Sequence, residues 1–261
     1  MPKLAANLTM LFAERPFLDR FEAAARAGFK AVEFLFPYDH PAEAVAERLK
    51  AAKLDLALFN LPPGDWTKGE RGLAAMPGRE KDFDAALERA FHYAQVLGCR
   101  TLHAMPGLVA PGPQSDATYI ANLKRATAAA RTRGITIVIE PINHRDIPGF
   151  YLNTVGQAAA AIEAVGADNL RIQFDFYHCQ ITEGDLAERF KKHFAQVGHI
   201  QIAGVPGRHE PDVGEINYPY LFELIDSLGY TGHVGCEYKP ANGTLAGLGW
   251  ARPYGVVPKR S

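Results

Sequence analysis

Short apolar or β-branched runs alternate along the chain with longer stretches of helical periodicity. The runs predict strands at Leu4–Leu8, Ala31–Leu35, Asp55–Asn60, Thr101–Met105, Thr136–Pro141, Leu170–Asp175, His199–Ala203 and His233–Tyr238. Between them Pro16–Phe29, Pro41–Lys53 and Arg79–Gly98 read as helices, and in the third Phe83, Leu87, Ala90, Phe91 and Ala94 make one apolar stripe. Gly28, Gly98, Gly134 and Gly229 fall just past helix ends, where a left-handed residue closes a helix. Eight such units in 261 residues average about 33 residues each, close to the ~30 that a βαβ unit requires. Runs such as ITIVIEP and HVGCEY, apolar on both faces, suit a parallel sheet covered by helices. The pattern therefore predicts the α/β class and one eight-stranded (β/α)8 TIM barrel domain over residues 1–261, near the ~250 residues typical of that fold. The rival architecture, a doubly wound open sheet, lacks the GxGxxG that should follow its first strand.

Two connections are too long and polar for plain turns: Leu61–Gly78 after the third strand and Gly204–Asn217 after the seventh. In a barrel both leave the carboxyl ends of the strands, where catalytic loops gather. The tail Ala241–Ser261, with Trp250 and Tyr254, is expected to pack across the barrel.

Composition narrows the function. With 28 Lys and Arg against 29 Asp and Glu, the net charge of -1 leaves no excess of cations for coating a phosphate backbone, so a general nucleic-acid partner is not expected. No apolar run approaches the ~20 residues of a membrane span, and the N-terminal stretch reads as neither a span nor a signal peptide. Cys99, Cys179 and Cys236, odd in number and far apart, suit free thiols in a reducing cytoplasm.

The chemistry lies where the last four strands should end. The fifth closes on Glu140, the sixth on Asp175, the seventh carries Gln201 and the eighth Glu237, one oxygen-bearing side chain per βα unit. In a closed barrel these four converge on the axis. Three carboxylates brought together unpaired would cost several kcal/mol; a divalent cation, Mg²⁺ or Mn²⁺, removes that cost and suits oxygen donors. For any one acid alone, capping the next helix or pairing with a nearby Lys or Arg explains it equally well; for all four together a metal centre is the better account. Glu140 and Glu237, from strands five and eight, would flank a substrate and pass a proton between adjacent carbons, as aldose–ketose isomerisation requires. His178, three residues after Asp175, and His103, inside the fourth strand, are placed to bond a substrate hydroxyl or a ligand carboxylate, with a satisfied interior histidine as the alternative for each. Arg208, on the Gly- and Pro-rich loop after strand seven, can clamp a carboxylate, with Lys239, Lys68 and Arg71 as rival cations.

The segments NLTMLFAERPFLDRF, GDWTKGERGLAAMPGRE, IVIEPIN, FDFYHCQ, GHIQIAGVPGRHEPDVGEINYPYLF and GCEYKP together resemble the hydroxypyruvate isomerase family of xylose-isomerase-like barrels, from about Asn7 to Pro240. The resemblance implies a divalent metal held by Glu140, Asp175, Gln201 and Glu237, with Glu140 and Glu237 as the acid/base pair. It also implies conversion of hydroxypyruvate to 2-hydroxy-3-oxopropanoate, or of a 2-oxo-tetronate or another small hydroxy-keto acid or keto-sugar. Discrimination among these would fall to Arg71, Trp66, His103, His178, Arg208 and the pocket walls, with Trp66 on a loop able to cover the site. Two other readings stay open at this point: a metal-dependent endonuclease-like barrel, and a binding barrel without catalysis. Barrels of this kind often associate, so a homo-oligomer is a further expectation.

Overall fold

In the computed structural model, which describes residues 1–258, eight parallel strands close into a barrel in chain order. They are β1 (Lys3–Asn7), β2 (Ala31–Glu33), β3 (Asp55–Asn60), β4 (Thr101–His103), β5 (Thr136–Ile139), β6 (Leu170–Asp175), β7 (Val197–Ile202) and β8 (His233–Cys236). All eight expected strands are present. Several stop one or two residues early, so that Glu140 and Glu237 stand just beyond β5 and β8. Ladder-type bonds nevertheless persist there, from Ala104 N–H to the Val138 carbonyl and from Glu237 N–H to that of Ile202, and hold the strand direction into the site.

The three expected helices are α1 (Phe17–Ala27), α2 (Ala42–Ala52) and α3 (Glu80–Leu97). The first two start directly after Pro16 and Pro41, whose fixed φ and missing N–H cost nothing at a helix start. The stripe of α3 is buried as expected. The remaining helices are α4 (Pro113–Arg131), α5 (Val155–Val165), α6 (Phe176–Thr182), α7 (Leu186–His193), α8 (Tyr218–Ser227) and the short α9 (Thr244–Gly247). The four closing glycines take positive φ; Lys53 closes α2 the same way at φ 54° without being glycine. The tail packs on its own barrel: the Tyr254 ring lies 4.6 Å from that of Phe222 on α8, and Trp250 donates to the Tyr238 hydroxyl at 3.2 Å. Residues 259–261 of the expected tail lie outside the described residues.

β5 and β8 bury apolar side chains on both faces as expected, with Ile137, Val138, Ile139, Val234 and Cys236 all buried, whereas β6 and β7 put polar side chains on one face. In β6, Phe174 packs outward, 5.2 Å from Phe190 of α7, whereas Gln173 and Asp175 turn to the lumen. In β7, Ile200 and Ile202 join the apolar core and His199 and Gln201 turn inward. Lumens of this fold are usually filled by bulky branched side chains. Here Glu33, fully buried at the end of β2, accepts from Asn7 at 2.9 Å and from Gln201 at 2.7 Å, and lies 2.6 Å from His199 Nε2. Buried polar groups are tolerated because they satisfy one another. Space for this hub comes from Gly235 on β8, where an added Cβ would stand 2.2 Å from a Glu33 carboxylate oxygen. Gly235→Ala is therefore expected to destabilise the fold by about 1–3 kcal/mol, measured as a lowered urea midpoint with unchanged slope; an unchanged midpoint would mean that Glu33 has room to move.

Candidate active site

The strand ends bring together Glu140, Asp175, His178 and Glu237, one ligand atom from each lying within 4.8 Å of the others. Local structure explains each placement. Asp175 caps α6: its Oδ1 accepts the Tyr177 N–H at 2.7 Å, which leaves Oδ2 buried with no hydrogen bond among the described residues. His178 lies three residues on, one helical turn away, so its Nε2 returns to 3.6 Å from Asp175 Oδ2. Glu237 is held by Asn7 Nδ2 at 3.3 Å and by the Arg208 guanidinium at 2.5 Å. Glu140 Oε1 is likewise buried without a hydrogen bond among the described residues, and its Oε2 is 3.6 Å from His103 Nδ1. The simpler roles considered for single acids thus occur, capping at Asp175 and ion pairing at Glu237, where both oxygens are engaged; Asp175 Oδ2 and Glu140 Oε1 stay without a hydrogen bond among the described residues.

The remaining expected residues surround this cluster. His103, Trp66, Arg71, His178, Arg208 and Lys239 line one cavity of about 470 Å³ with Glu140 and Glu237. Trp66, 40% exposed, stands at the rim with the Arg71 guanidinium 3.7 Å above its ring. Its loop is tethered by Leu73 and Ala74 N–H bonds to the Met105 carbonyl. Gln201 neighbours Asp175 in register, but its amide is spoken for from within the barrel: Nε2 donates to Glu33, and Oε1 accepts from Gln173 at 2.6 Å. That leaves the second lone pair of Oε1 for a ligand. Lys68 lies instead on the loop's 3₁₀ turn, Trp66–Lys68, paired with Asp65 at 3.1 Å.

A profile of the xylose isomerase-like TIM barrel family matches residues 21–254. A 2-oxo-tetronate isomerase of Cupriavidus necator is 58% identical over 97% of this chain and 99% of its own. The hydroxypyruvate isomerase of Escherichia coli is 47% identical over 97% of this chain and 100% of its own. The chain belongs to the xylose-isomerase-like barrels, among the hydroxypyruvate and 2-oxo-tetronate isomerases. The crystal structure of an AP endonuclease, family 2, from Brucella melitensis superposes with TM-score 0.95 and 48% identity, covering 97% of this chain and 99% of that one.

In this xylose-isomerase-like barrel the donor set fits a hard divalent cation. Two buried carboxylate oxygens, Glu140 Oε1 and Asp175 Oδ2, lack a hydrogen bond among the described residues, and the Arg208 guanidinium, bonded to Glu237, comes only to 3.9 Å from Asp175 Oδ2. Several residues of the site escape sequence reasoning. Asp146 holds Arg208 at 2.7 Å and accepts from the Tyr177 hydroxyl at 3.0 Å. Asn143 contacts His178, Asn7 contacts Glu237, and Glu33 anchors Gln201. The runs IVIEPIN, containing Asn143, and NLTMLFAERPFLDRF, opening on Asn7, carry the sequence signal for these two residues.

Burial governs the protonation of the cluster. It pushes the Glu237 carboxyl up to about 8 against the opposing pull of Arg208, and Asp175 up to about 6. Glu140 is raised by burial and by the neighbouring Glu237 and Asp175 carboxylates. Burial lowers His103 to about 3 and holds His178 well below the usual imidazole range. A raised carboxylate binds a proton in the folded state that the unfolded chain has released, so its contribution falls as pH rises; a lowered histidine acts in the opposite sense, below its unfolded pKa of ~6.5. Above that value only the carboxylates act. With chelator present, stability is expected to drop from pH 6.5 to 8, by up to about 1.4 kcal/mol per pH unit for each titrating acid, read as a falling melting temperature. Glu237→Gln should flatten the slope. A melting temperature that rises with pH over this range would contradict the assignment.

Proposed function

We propose that the chain isomerises small 2-oxo-3-hydroxy acids to their 2-hydroxy-3-oxo isomers, hydroxypyruvate to 2-hydroxy-3-oxopropanoate being the simplest case. The observation that carries this reading is the convergence of the buried Glu140, Asp175 and Glu237, with Glu140 and Glu237 lining a cavity that Arg71, Arg208 and Lys239 also line. A divalent cation, Mg²⁺ or Mn²⁺, held by Glu140, Asp175, Gln201 and Glu237, would supply Lewis-acid polarisation of the substrate oxygens. One of Glu140 and Glu237 takes the proton from C3 and the other gives a proton to C2 of the enediolate, while the hydroxyl proton passes from O3 to O2 and exchange with solvent restores the two carboxyls. In the absence of a cation, burial raises the proton affinity of both carboxyls. Arg208 steadies Glu237 and offers its charge to the substrate carboxylate; Arg71, whose guanidinium bonds to the Trp66 and Glu70 carbonyls, and Lys239 carry further positive charge at the rim. The loop bearing Trp66 limits water at the enediolate.

A four-carbon 2-oxo-tetronate undergoes the same C2–C3 exchange. One observation favours it as substrate, the 58% identity to a 2-oxo-tetronate isomerase against 47% to a hydroxypyruvate isomerase; the cavity of about 470 Å³ admits either acid. The endonuclease reading draws on the similarity to the Brucella protein; a net charge of -1 does not favour the cationic face it requires.

Turnover of hydroxypyruvate and of 2-oxo-tetronate, each with and without chelator, tests class and substrate together. Activity should vanish with EDTA, and Glu140→Gln and Glu237→Gln should each lower kcat at least about 10²-fold. Product formed in D₂O should carry solvent deuterium at C2; its complete absence would replace proton transfer with a hydride shift. Full activity in Glu237→Gln, or salt-dependent binding of abasic DNA without isomerase turnover, would overturn the proposal.

A further inference from the structure

Just past β5 the chain makes a tight turn whose hydrogen bonds fix the direction of a side-chain amide. Asn143, fully buried, accepts the N–H groups of both Arg145 and Asp146 on its Oδ1, each at 2.9 Å. The reverse orientation would set an NH₂ against two N–H donors, so the amide has one allowed sense. Its Nδ2 therefore faces His178 Nδ1, at 2.6 Å, and the Asn143 backbone N–H points at the same atom from 3.4 Å. With two donors directed at it, Nδ1 must be the lone-pair nitrogen. The imidazole is then neutral with its proton on Nε2. That nitrogen lies 3.6 Å from Asp175 Oδ2 and 3.9 Å from Glu140 Oε1, the two buried oxygens that lack a hydrogen bond among the described residues.

We infer that Asn143 is a positioning residue that fixes His178 as the Nε2–H tautomer, so that His178 donates a hydrogen bond into the site and does not ligate a cation, although it converges with the three acids. A protonated ring nitrogen has no lone pair to give a metal. It serves as a donor to the substrate oxygen or the developing oxyanion, between Glu140 and Asp175. The same turn carries Asp146, whose carboxylate grips Arg208, so one loop orients both the neutral donor and the cation of the site. The functional part of this assignment rests on the isomerase reading; the tautomer does not.

The test is a long-range ¹H–¹⁵N correlation spectrum of full-length protein labelled with ¹⁵N-histidine, with the His178 signals identified by their loss in His178→Gln. The wild type should show a pyridine-type Nδ1 and a pyrrole-type Nε2, unchanged when Mg²⁺ is added. Asn143→Asp keeps the turn, because one carboxylate oxygen can accept both N–H groups, but it presents an acceptor where the amide presented a donor. Nδ1 should then gain a proton, and kcat should fall about 10²-fold, the usual consequence of misdirecting a donor in an active site. A pyridine-type Nε2 in the wild type, a Mg²⁺-induced shift typical of a coordinated nitrogen, or an Nδ1 still unprotonated in Asn143→Asp would each overturn the inference. An inactive wild type with the expected nitrogens would remove the isomerase reading and leave the tautomer standing; an active one with reversed nitrogens would do the opposite.

Discussion

The structure is organised around an electrostatic imbalance at the mouth of the barrel. Glu140, Asp175 and Glu237 are almost wholly buried within a few ångströms of one another, and the cation that approaches them is Arg208, at 2.5 Å from Glu237 and 3.9 Å from Asp175. One guanidinium cannot balance three desolvated carboxylates, and their raised proton affinities express the deficit. A large apolar shell outside the ring of strands offsets the cost of such strain. Phe174, Phe190 and Phe176 pack behind β6, and the aromatic tail covers α8, all on the outer side of the sheet. The lumen is thereby released from packing and given to polar chemistry.

Much of this is legible in the chain because period and spacing record it. Eight runs of apolar residues, each followed by a helical pattern, specify the barrel, and an acid or amide at the close of each of the last four runs marks the site. Other features leave no such trace. Glu33 reads as one more polar residue at the end of a three-residue strand, and only closure of the ring shows that Asn7, His199 and Gln201 meet on it. Lys53 closes a helix in the left-handed region that glycine usually occupies. In β6 and β7 polar and apolar residues alternate, Gln173 and Asp175 against Ile172 and Phe174 and His199 and Gln201 against Ile200 and Ile202, but only closure of the barrel turns the polar face to the lumen. Arg208 is recognisable as a candidate clamp for a substrate, but its prior engagement with Glu237 and Asp146 depends on a loop folding back over the barrel mouth, which spacing does not encode.

What converts a cluster of acids into a directed site is the sense of its amides. An ionised carboxylate only accepts and a guanidinium only donates, so each fixes the role of its neighbour but cannot relay a direction from one neighbour to the next. A side-chain amide does both, and once one end is committed the other is determined. Asn7 commits its Oδ1 to the Thr9 N–H at 3.0 Å, and its Nδ2 then turns to Glu33 and Glu237. Asn143 uses the same device at the end of β5, with His178 as the recipient. Gln201 is oriented from the opposite end: Glu33 takes its NH₂, so its carbonyl faces away from the hub. In each case a group that cannot change its hydrogen-bonding role, a backbone N–H or a buried carboxylate, dictates the direction of an amide, and the amide passes that direction to a residue of the site. Geometry set by the backbone at the strand ends thus reaches the protons of the reacting centre in a single hydrogen-bonded step.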